Sequence, residues 1–401
     1  MEEWKEYKLI EVLDAIIDYR GKTPKKTTSG VPLITAKIIK NGRIETPTEF
    51  ISVDDYDSWM VRGFPKVGDV VLTTEAPLGE VAQLDDANIA LAQRVVTLRG
   101  KSDVLDNTYL KYYFLSNVGK QRLKARETGT TVTGIKQSEL REVLVDVPPY
   151  KVQVRIAEVL KSLDDKIEVN RRINDNLEQQ AQALFKSWFV DFEPFRDQPF
   201  VESELGMIPE GWRVVSFKDF IEASTEKAPV DCYPEYSVTN NGIIPRNSKF
   251  NKKLSKSSSK NKVLKKDELV FGMSREILNW GIMEDEVGGV SSAYNVYKID
   301  KGIVSPTYLR LYMRARVSDF NSLIGTAARE GQGLDKGQLM NKHIYIPTNS
   351  ALQDFLALFL PITEAQLNYE NESRRLAELR DTLLPRLMSG ELKVNEIENA
   401  I

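Results

Sequence analysis

The sequence predicts an α+β protein that is duplicated internally, with two mixed α/β domains separated by two long helices that pair antiparallel as a coiled coil. A shift of 199 residues superimposes one half on the other, and each half ends in a long segment with an apolar seam. The rest of each half has short β-branched runs broken by Gly, Pro and Asn. We expect domains at 1–150 and 212–349, spacer helices at 151–190 and 350–390, a linker at 191–211, and a C-terminal tail at 391–401.

The duplication is visible in landmarks that keep one offset along the chain. The tripeptide Thr-Tyr-Leu at 108–110 recurs at 307–309, and Gly134 corresponds to Gly333 at the same offset of 199. Chance similarity would not preserve a single offset over such distances. Each half is therefore predicted to be a globular domain of about 150 residues followed by a long helix.

Composition excludes several classes of protein. The 401 residues are 41% hydrophobic and 28% charged, and they contain no apolar run long enough for a membrane span. Cys232 is the only cysteine, so no disulfide forms within the chain, as expected for the cytoplasm. His343 is the only histidine, which rules out a zinc site of Cys/His type and favours a structural role for that residue.

Charge is distributed unevenly between the predicted domains. The net charge is −3, yet 212–349 carries 21 basic and 15 acidic residues, a balance of +6. The segments 151–211 and 350–401 each carry four more acidic than basic residues. One domain is thus suited to a polyanion, while the helices are not.

The two long helices have seams that are apolar at the ends and polar in the middle, where Asn170 and Asn174 lie in the first helix. Buried Asn fixes the register of paired helices, so we expect the helices to pair with each other over a rod of about 50–60 Å. Pro361 is expected to restart the second helix and Pro385 to kink or end it, because proline removes a backbone hydrogen bond.

Phe185, Trp188 and Phe189 form an aromatic cluster near the end of the first helix. A two-helix rod cannot bury so many aromatic side chains on more than one face. We therefore expect an exposed apolar surface that binds a partner protein. The alternative is that these side chains belong to a domain core.

Polar and basic loops recur in both halves, and they are candidates for binding nucleic acid. The lysine-rich segment 246–266 has a shorter counterpart at 20–30, and small polar residues dominate 126–137 and 325–338. Lys and Arg neutralise phosphates, and Ser and Asn add hydrogen bonds. Solvated lysine-rich loops are the alternative interpretation.

Two apparent catalytic motifs lack their chemistry. The sequence DVPPY at 146–150 is similar to the motif of enzymes that methylate base amines, but Val147 stands where a polar acceptor is required, and no Gly-rich loop for S-adenosylmethionine is present. GTTVTGIKQ has the glycine spacing of a phosphate-binding loop, but Ile135 replaces its lysine. We expect DVPPY to be a turn and the chain to be non-catalytic.

The chain resembles the specificity subunit of type I restriction–modification systems over nearly its whole length. The motifs that carry the resemblance are RGKTPKK, TTEAPLGEV, ALAQRVV, VPPYKVQVRIAEVLKSLDDKIEVNRRINDNLEQQAQALFKSWFVDF, GMIPEGW and LRDTLLPRLMSGEL. The family has two target-recognition domains, each followed by a conserved helical region. Pro361 in place of Ser162 and a less regular second seam are departures from a perfect repeat.

The resemblance implies a DNA-recognition and scaffold subunit in which each domain reads one half of a split, asymmetric double-stranded target. The paired helices would set the gap and dock two methyltransferase (modification) subunits, and restriction (translocase and nuclease) subunits would join them. S-adenosylmethionine, ATP and magnesium would be bound by those partners and not by this chain, and the modification would be adenine methylation.

Candidate residues follow from the resemblance together with the basic and polar loops. In the first domain the candidates for DNA binding are Arg20, Lys22, Lys25, Lys26, Thr73, Thr74, Glu75 and Lys136. In the second domain they are Lys252, Lys253, Lys256, Ser274, Arg275 and Lys336. The candidates for partner binding are Leu184, Phe185, Trp188, Phe189, Leu383 and Leu387.

Two other functions stay open from the sequence. A coiled-coil adaptor without DNA specificity would bind DNA indifferently to its sequence and to salt, whereas phosphate contacts give a steep salt dependence. A DNA adenine methyltransferase acting through DVPPY would bind S-adenosylmethionine by itself. A related system with fused catalytic subunits would use the same specificity fold.

Overall fold

The computed structural model describes residues 4–19, 21, 23–129, 133–229, 232–246, 260–274, 276–325 and 333–393. The chain divides into two compact units. Unit 1 comprises 1–172 and 369–401, and unit 2 comprises 173–368. The division falls within both long helices, so each unit contains a globular domain together with one end of each helix. Among the described residues, none of the helices has the length and apolarity that a membrane crossing needs.

The globular part of unit 1 consists of twelve short strands and five short helices among the described residues. The strands are β1 (Lys5–Lys8), β2 (Leu13–Asp18), β3 (Lys26–Thr27), β4 (Val31–Ile34), β5 (Ile39–Lys40), β6 (Arg43–Ile44), β7 (Phe50–Ile51), β8 (Val70–Thr74), β9 (Leu78–Gln83), β10 (Ala90–Leu91), β11 (Val95–Gly100) and β12 (Leu144–Val147). The helices are α1 (Leu9–Val12), α2 (Val53–Trp59), α3 (Asn107–Leu115), α4 (Asn117–Lys124) and α5 (Gln137–Arg141).

Two four-stranded sheets organise this domain, with strand orders β2-β11-β8-β9 and β10-β4-β7-β3. Strand β8 is buried along its whole length, as its run of β-branched residues predicts. Helix α3 packs its tyrosines into the core between this sheet and the long helices. A second apolar cluster, which includes Leu33, Ile34 and Leu91, lies under the other sheet.

Unit 2 repeats one of these four-stranded sheets, and among the described residues its other strands form two-stranded sheets. Its strands are β13 (Phe200–Ser203), β14 (Gly206–Pro209), β15 (Arg213–Ser216), β16 (Ile221–Ser224), β17 (Tyr236–Thr239), β18 (Gly242–Pro245), β19 (Lys262–Lys265), β20 (Leu269–Phe271), β21 (Trp280–Ile282), β22 (Val287–Val290), β23 (Asn295–Ile299), β24 (Ile324–Gly325), β25 (Gly333–Leu334) and β26 (His343–Ile346). Its short helices are α7 (Phe217–Phe220), α8 (Pro306–Ala315), α9 (Val317–Phe320) and α10 (Lys336–Met340).

The central sheet of unit 2 has the order β16-β23-β20-β21, which is the order of the sheet in unit 1 at equivalent positions. The predicted linker at 191–211 contains the hairpin β13-β14, and its Phe195 and Ile208 are buried in the core of unit 2. His343 lies in β26, and its Nδ1 is 3.4 Å from a carboxylate oxygen of Glu204 at the surface.

The duplication extends to single hydrogen bonds in the core. Tyr109 of α3 donates its hydroxyl proton to the carbonyl of Asp146 at 2.7 Å, and Tyr308 of α8 donates to the carbonyl of Tyr345 at 2.7 Å. The donor and the acceptor of the second bond each lie 199 residues after the donor and the acceptor of the first. Burial raises the pKa of both tyrosines well above the usual value, so each hydroxyl is a permanent donor.

Helices α6 (Tyr150–Phe189) and α11 (Asn349–Met388) are the two long helices, and their contacts in each unit run antiparallel. In unit 1 the fully buried Asn170 donates to Glu372 at 2.7 Å. In unit 2 Asn174 donates to the backbone carbonyl of Gln366 at 3.2 Å. The polar middle of the seam therefore sets the register, as predicted, through Asn–Glu and Asn–backbone bonds and not through an Asn–Asn pair.

The expectation that Pro361 restarts the second helix is wrong, because α11 is continuous from Asn349 to Met388. Proline removes one backbone hydrogen bond, but Phe359 and Ile362 on either side pack against the core of unit 2 and hold the helix in place. Pro385 is likewise included in the helix, which ends three residues later at Met388. Leu384 and Leu387 are buried in unit 1 and account for this continuation.

Candidate nucleic-acid interface

Three loops of unit 1 meet at the end of strand β8, and their described residues 74–75, 92–94, 128–129 and 133–136 form what we term the reading cluster. The amide of Thr74 donates to the carbonyl of Arg94 at 3.0 Å, and the amide of Ile135 donates to the carbonyl of Thr74 at 2.9 Å. Glu75 forms an isolated bridge with Gly134. The backbone hydrogen bonds thus hold three polar loops at one end of the sheet, and residues 130–132 of the third loop lie outside the described residues.

Glu75 and Arg94 form an ion pair at the centre of the reading cluster, with 2.6 Å between the Arg94 Nε and a carboxylate oxygen. Both side chains keep about a third to a half of their surface exposed, at 36% and 48%. A carboxylate can accept a hydrogen bond from a cytosine amine, and a guanidinium can donate two to guanine. The pair therefore presents both kinds of group at an accessible position.

Arg94 is absent from the residues chosen from the sequence, although it lies in the motif ALAQRVV that carries the resemblance. Its position in a turn between two short strands is the sequence feature that could have identified it as a candidate for DNA binding. Sequence reasoning alone could not connect it to Glu75, because the two residues are joined only through the sheet.

Thr73 and Thr74 are buried, so the expectation that they contact base edges is wrong for the structure as described. The Thr73 hydroxyl donates to the carbonyl of Pro77 at 2.7 Å and accepts from the amide of Glu80 at 2.9 Å. These bonds satisfy the turn between β8 and β9, which a buried backbone requires. Thr73 therefore shapes the loop, while Glu75 is the accessible member of the predicted trio.

The basic loop of unit 1 contacts the reading cluster through Thr23, whose hydroxyl lies 3.3 Å from the side-chain oxygen of Gln93. Lys25 is exposed, and Lys26 pairs with Glu49 at 2.8 Å. Lys136 is exposed at the residue before α5, directly after the hydrogen-bonded Ile135. Lys136 thus lies in the third loop of the reading cluster, two residues after Gly134, which forms the bridge with Glu75. Arg20 and Lys22 lie outside the described residues.

In unit 2 Ser274 is buried, and its hydroxyl accepts from the amide of Asn279 at 2.8 Å. Ser274 therefore builds a turn, and the expectation that it contacts DNA is wrong for the structure as described. Lys336 is exposed at the start of α10. Burial lowers the pKa of Lys262, and the positive charge of Lys336 lowers it further. Lys252, Lys253, Lys256 and Arg275 lie outside the described residues.

The expected exposed aromatic cluster is wrong. Phe185 and Phe189 are buried in the core of unit 2, where the Phe189 ring lies 5.1 Å from that of Tyr308 and 4.8 Å from that of Phe355. Leu387 is fully buried in unit 1. Leu184 and Trp188 are partly buried against the core of unit 2, and Leu383 is partly buried against that of unit 1. The alternative interpretation, that these side chains belong to domain cores, is correct because each domain folds onto its own end of the helix pair.

Other apolar side chains of the long helices are exposed. In unit 2 these are Leu358, Leu360 and Leu367, each with about half of its surface exposed. Leu360 and Leu367 are seven residues apart, so they lie on one side of α11. They were not predicted from the sequence, because they lie outside the apolar seam of α11.

DVPPY, where a turn was expected, spans the end of strand β12, a two-residue connection and the first residue of helix α6. Val147 is the last residue of β12 and pairs with Lys5, and helix α6 begins at Tyr150 after the two prolines. Proline is suited to the first turn of a helix because its missing N–H has no partner there.

Comparison with known proteins places these features in one family. Residues 1–179 match the family model described as the type I restriction modification DNA specificity domain. The chain is 30% identical over 349 residues to the specificity subunit of the type I restriction enzyme MjaIX of Methanocaldococcus jannaschii, covering 84% of this chain and 80% of that one. It is 25% identical over 468 residues to the HindI specificity subunit of Haemophilus influenzae, covering 98% and 100% of the two chains.

The fold is also similar to that of a solved structure. The crystal structure of the S subunit of a type I restriction–modification system from M. genitalium superimposes with a TM-score of 0.56 at 15% identity. The superposition covers 96% of each chain. At this identity the similarity concerns the fold alone.

Proposed function

The chain belongs to the family of type I restriction–modification specificity subunits, and from this premise we propose that it reads a split, asymmetric DNA target with one half assigned to each globular domain. Family membership rests on the MjaIX relative and on the match over 1–179. It makes the chain a specificity subunit and not a catalytic one. The division of labour between the two domains is our proposal.

The observation that carries the proposal is a repeated scaffold with unlike loops. The sheet order and the tyrosine-to-carbonyl bond are the same in both units. At the end of the equivalent strands, however, unit 1 has the exposed Glu75–Arg94 pair, and unit 2 has the buried Ser274. A common frame with different groups at the same place is what two different half-targets require.

We assign the gap between the half-targets to the helix pair. Half-site spacing on DNA is a geometric property of the protein that binds both halves. The buried Asn170–Glu372 bond in unit 1 and the Asn174 bond to the backbone in unit 2 support one fixed register of α6 and α11.

The proposed partners are two modification subunits and the restriction subunits that join them. We place the modification-subunit contact at the exposed leucines of α11, including Leu360 and Leu367 of unit 2, because exposed apolar side chains on a long helix favour protein association. S-adenosylmethionine, ATP and magnesium are assigned to those partners. The resemblance of the chain to specificity subunits supports this assignment.

The test is selection from a randomised duplex pool by the full chain assembled with its modification subunits, followed by sequencing of the retained DNA. Two short, different motifs at one fixed spacing are expected. Retention without any motif, at low salt and with the partners present, would refute the proposal and favour an adaptor without DNA specificity. One motif alone would refute the assignment of a half-target to each domain.

A further inference from the structure

We propose that Lys120 and Lys124 of α4 bind backbone phosphates of the DNA, in a cleft beside the reading cluster; this inference rests on the proposed function. The cleft has a volume of about 550 Å³. It is lined by residues 76–79 of the turn after β8, by Leu123, Glu127 and Thr133, and by the two lysines. The turn follows Glu75 directly in the chain, and Thr133 belongs to the third loop of the reading cluster.

The two lysines carry charge that the described part of the chain does not neutralise. The neighbouring arginines differ in this respect. Arg122 is 2.9 Å from carboxylate oxygens of both Glu6 and Asp146, and Arg126 is 3.1 Å from Glu139. Among the described residues, neither Lys120 nor Lys124 has a carboxylate within ion-pair distance, and both are exposed. Exposed cations with no partner are available for an anion that arrives from solution.

The helix presents both ammonium groups to the same cleft. Residues four apart lie on one face of a helix, with about 5–6 Å between their Cβ atoms. Leu123 is fully buried and packs this face of α4 against the turn. Its Cδ1 would lie 3.7 Å from a Cβ at position 79, where the chain has glycine. Gly79 has a φ of +89°, a conformation that glycine adopts without strain, so glycine suits the turn at this position.

The chemistry of the cleft favours phosphates over base edges. Lysine is a compact charge on a flexible stem, whereas base recognition requires hydrogen-bonding groups held in fixed geometry. Glu127 lines the same cleft, but among the described residues its carboxylate forms no ion pair with either lysine. DNA presents about one phosphate per 1.7 Å of helix axis, so a pair of neighbouring cations can meet two of them.

This contact belongs to unit 1 alone. The offset of 199 residues places Asp319 and Leu323 of unit 2 at the positions of Lys120 and Lys124. An acidic and an apolar residue cannot replace the two cations. The second domain instead has a positive balance of charge, much of it in the segment 246–266.

The experiment compares the double variant Lys120→Gln/Lys124→Gln with a control of equal charge change, Lys151→Gln/Lys161→Gln. The control residues are exposed on α6. Each full-length variant is assembled with the modification subunits, and binding to the selected duplex is measured from low to high salt. Circular dichroism verifies that each variant is folded.

The slope of log K against log salt is expected to decrease in magnitude by about 1.8 in the cleft variant, which corresponds to two phosphate contacts of about 0.9 each. If the proteins bind equally at 1 M salt, this slope makes the variant about 60-fold weaker at 0.1 M. The selected motifs are expected to be unchanged, because phosphate contacts carry no sequence information. The control variant is expected to keep the wild-type slope.

Three results separate the possibilities. A cleft variant with wild-type slope in a complex that does select motifs overturns the lysine assignment and leaves the proposed function intact. A changed motif in the variant means base contact and overturns the phosphate assignment. A wild-type complex that selects no motif refutes the proposed function itself.

Discussion

Replacing Asp164 by Asn is expected to destabilise unit 1. The Asp164 carboxylate accepts from Tyr112 at 2.7 Å and from Arg380 at 2.7 Å, and the Lys111 ammonium lies 3.3 Å away. One carboxylate therefore connects α3 of the globular domain with both long helices. Lys111 is 9% exposed and would lose its counter-charge in the variant.

The size of the stability loss depends on whether each partner of Asp164 keeps another hydrogen-bond or ion-pair partner in the variant. Removing one member of a buried ion pair costs about 3–5 kcal/mol, chiefly because the other charge stays buried and unpaired. Arg380 is expected to relax, because its side chain is partly exposed and already lies 2.7 Å from Asp381. Asn retains an acceptor for Tyr112. We therefore expect the free energy of unfolding of unit 1 to fall by about 2–4 kcal/mol, mainly because the buried Lys111 ammonium loses its counter-charge.

Acid should remove the same contribution from the wild type. Burial raises the pKa of Asp164, but Lys111, Arg380 and Tyr112 outweigh it, and the net pKa lies below the usual value. A carboxyl with a depressed folded-state pKa stabilises the fold above its unfolded pKa of about 3.9, and this contribution disappears as the pH falls through the folded pKa. The difference in the free energy of unfolding between Asp164→Asn and wild type should therefore be constant near neutral pH and shrink below about pH 4.

Hydrogen exchange of α3 under increasing urea is the suitable assay, because it reports on unit 1 within the full chain. The equivalent helix α8 of unit 2 provides an internal reference. Asp165→Asn is the matched control, since this neighbouring carboxylate is exposed and, among the described residues, forms an ion pair with Lys161 alone, at 2.5 Å, a contact worth about 0.3–0.5 kcal/mol. Equal effects of the two substitutions on α3 would refute the reasoning.

Three further predictions follow from the site and the cores. Phe189→Ala is expected to destabilise unit 2 by about 3–5 kcal/mol, measured as urea unfolding of that unit, because Phe189 is fully buried; a stable variant with lost partner binding would contradict its core position. Glu75→Gln is expected to change the preference at one position of one half-target by about 1–3 kcal/mol, measured by selection, with the other half unchanged; a change in both halves would contradict separate reading. Leu360→Glu/Leu367→Glu is expected to weaken assembly with the modification subunit, measured by analytical ultracentrifugation, without altering hydrogen exchange in either unit, and unchanged assembly would remove this face from the proposed contact.

The helices and the duplication could be predicted from sequence because both depend on periodicity. A seam of apolar residues fixes the inner face of a long helix, and a constant offset needs no structure to be seen. Whether Phe189 lies in a domain core or on a surface that binds a partner could not be predicted in the same way. Its contact with Tyr308 joins residues 119 positions apart, and helix periodicity does not distinguish a face covered by the chain's own domain from one covered by a partner.

The candidate interface was predicted in part for a related reason. Thr73, Thr74 and Glu75 are adjacent polar residues at a strand end, but β8 is buried along its whole length and the turn after it uses the Thr73 hydroxyl, so only Glu75 reaches the surface. Lys120 and Lys124 were missed because a lysine pair on a short amphipathic helix has the pattern of any solvated face. Their meaning depends on the turn at 76–79, which only the fold places beside them.

The anchoring of the two domains shows why their loops are free to differ. In unit 1 the carboxylate of Asp164 from α6 binds Lys111 of the domain and Arg380 of α11. In unit 2 the carboxylate of Glu178, again from α6, lies 3.0 Å from Arg314 of the domain and 3.4 Å from the side-chain nitrogen of Gln366. The first helix thus supplies the central carboxylate in both units, although the partners have changed. Because these anchors lie at the helices and not at the strand ends, substitutions in the reading cluster leave them intact, and specificity can change without loss of the scaffold.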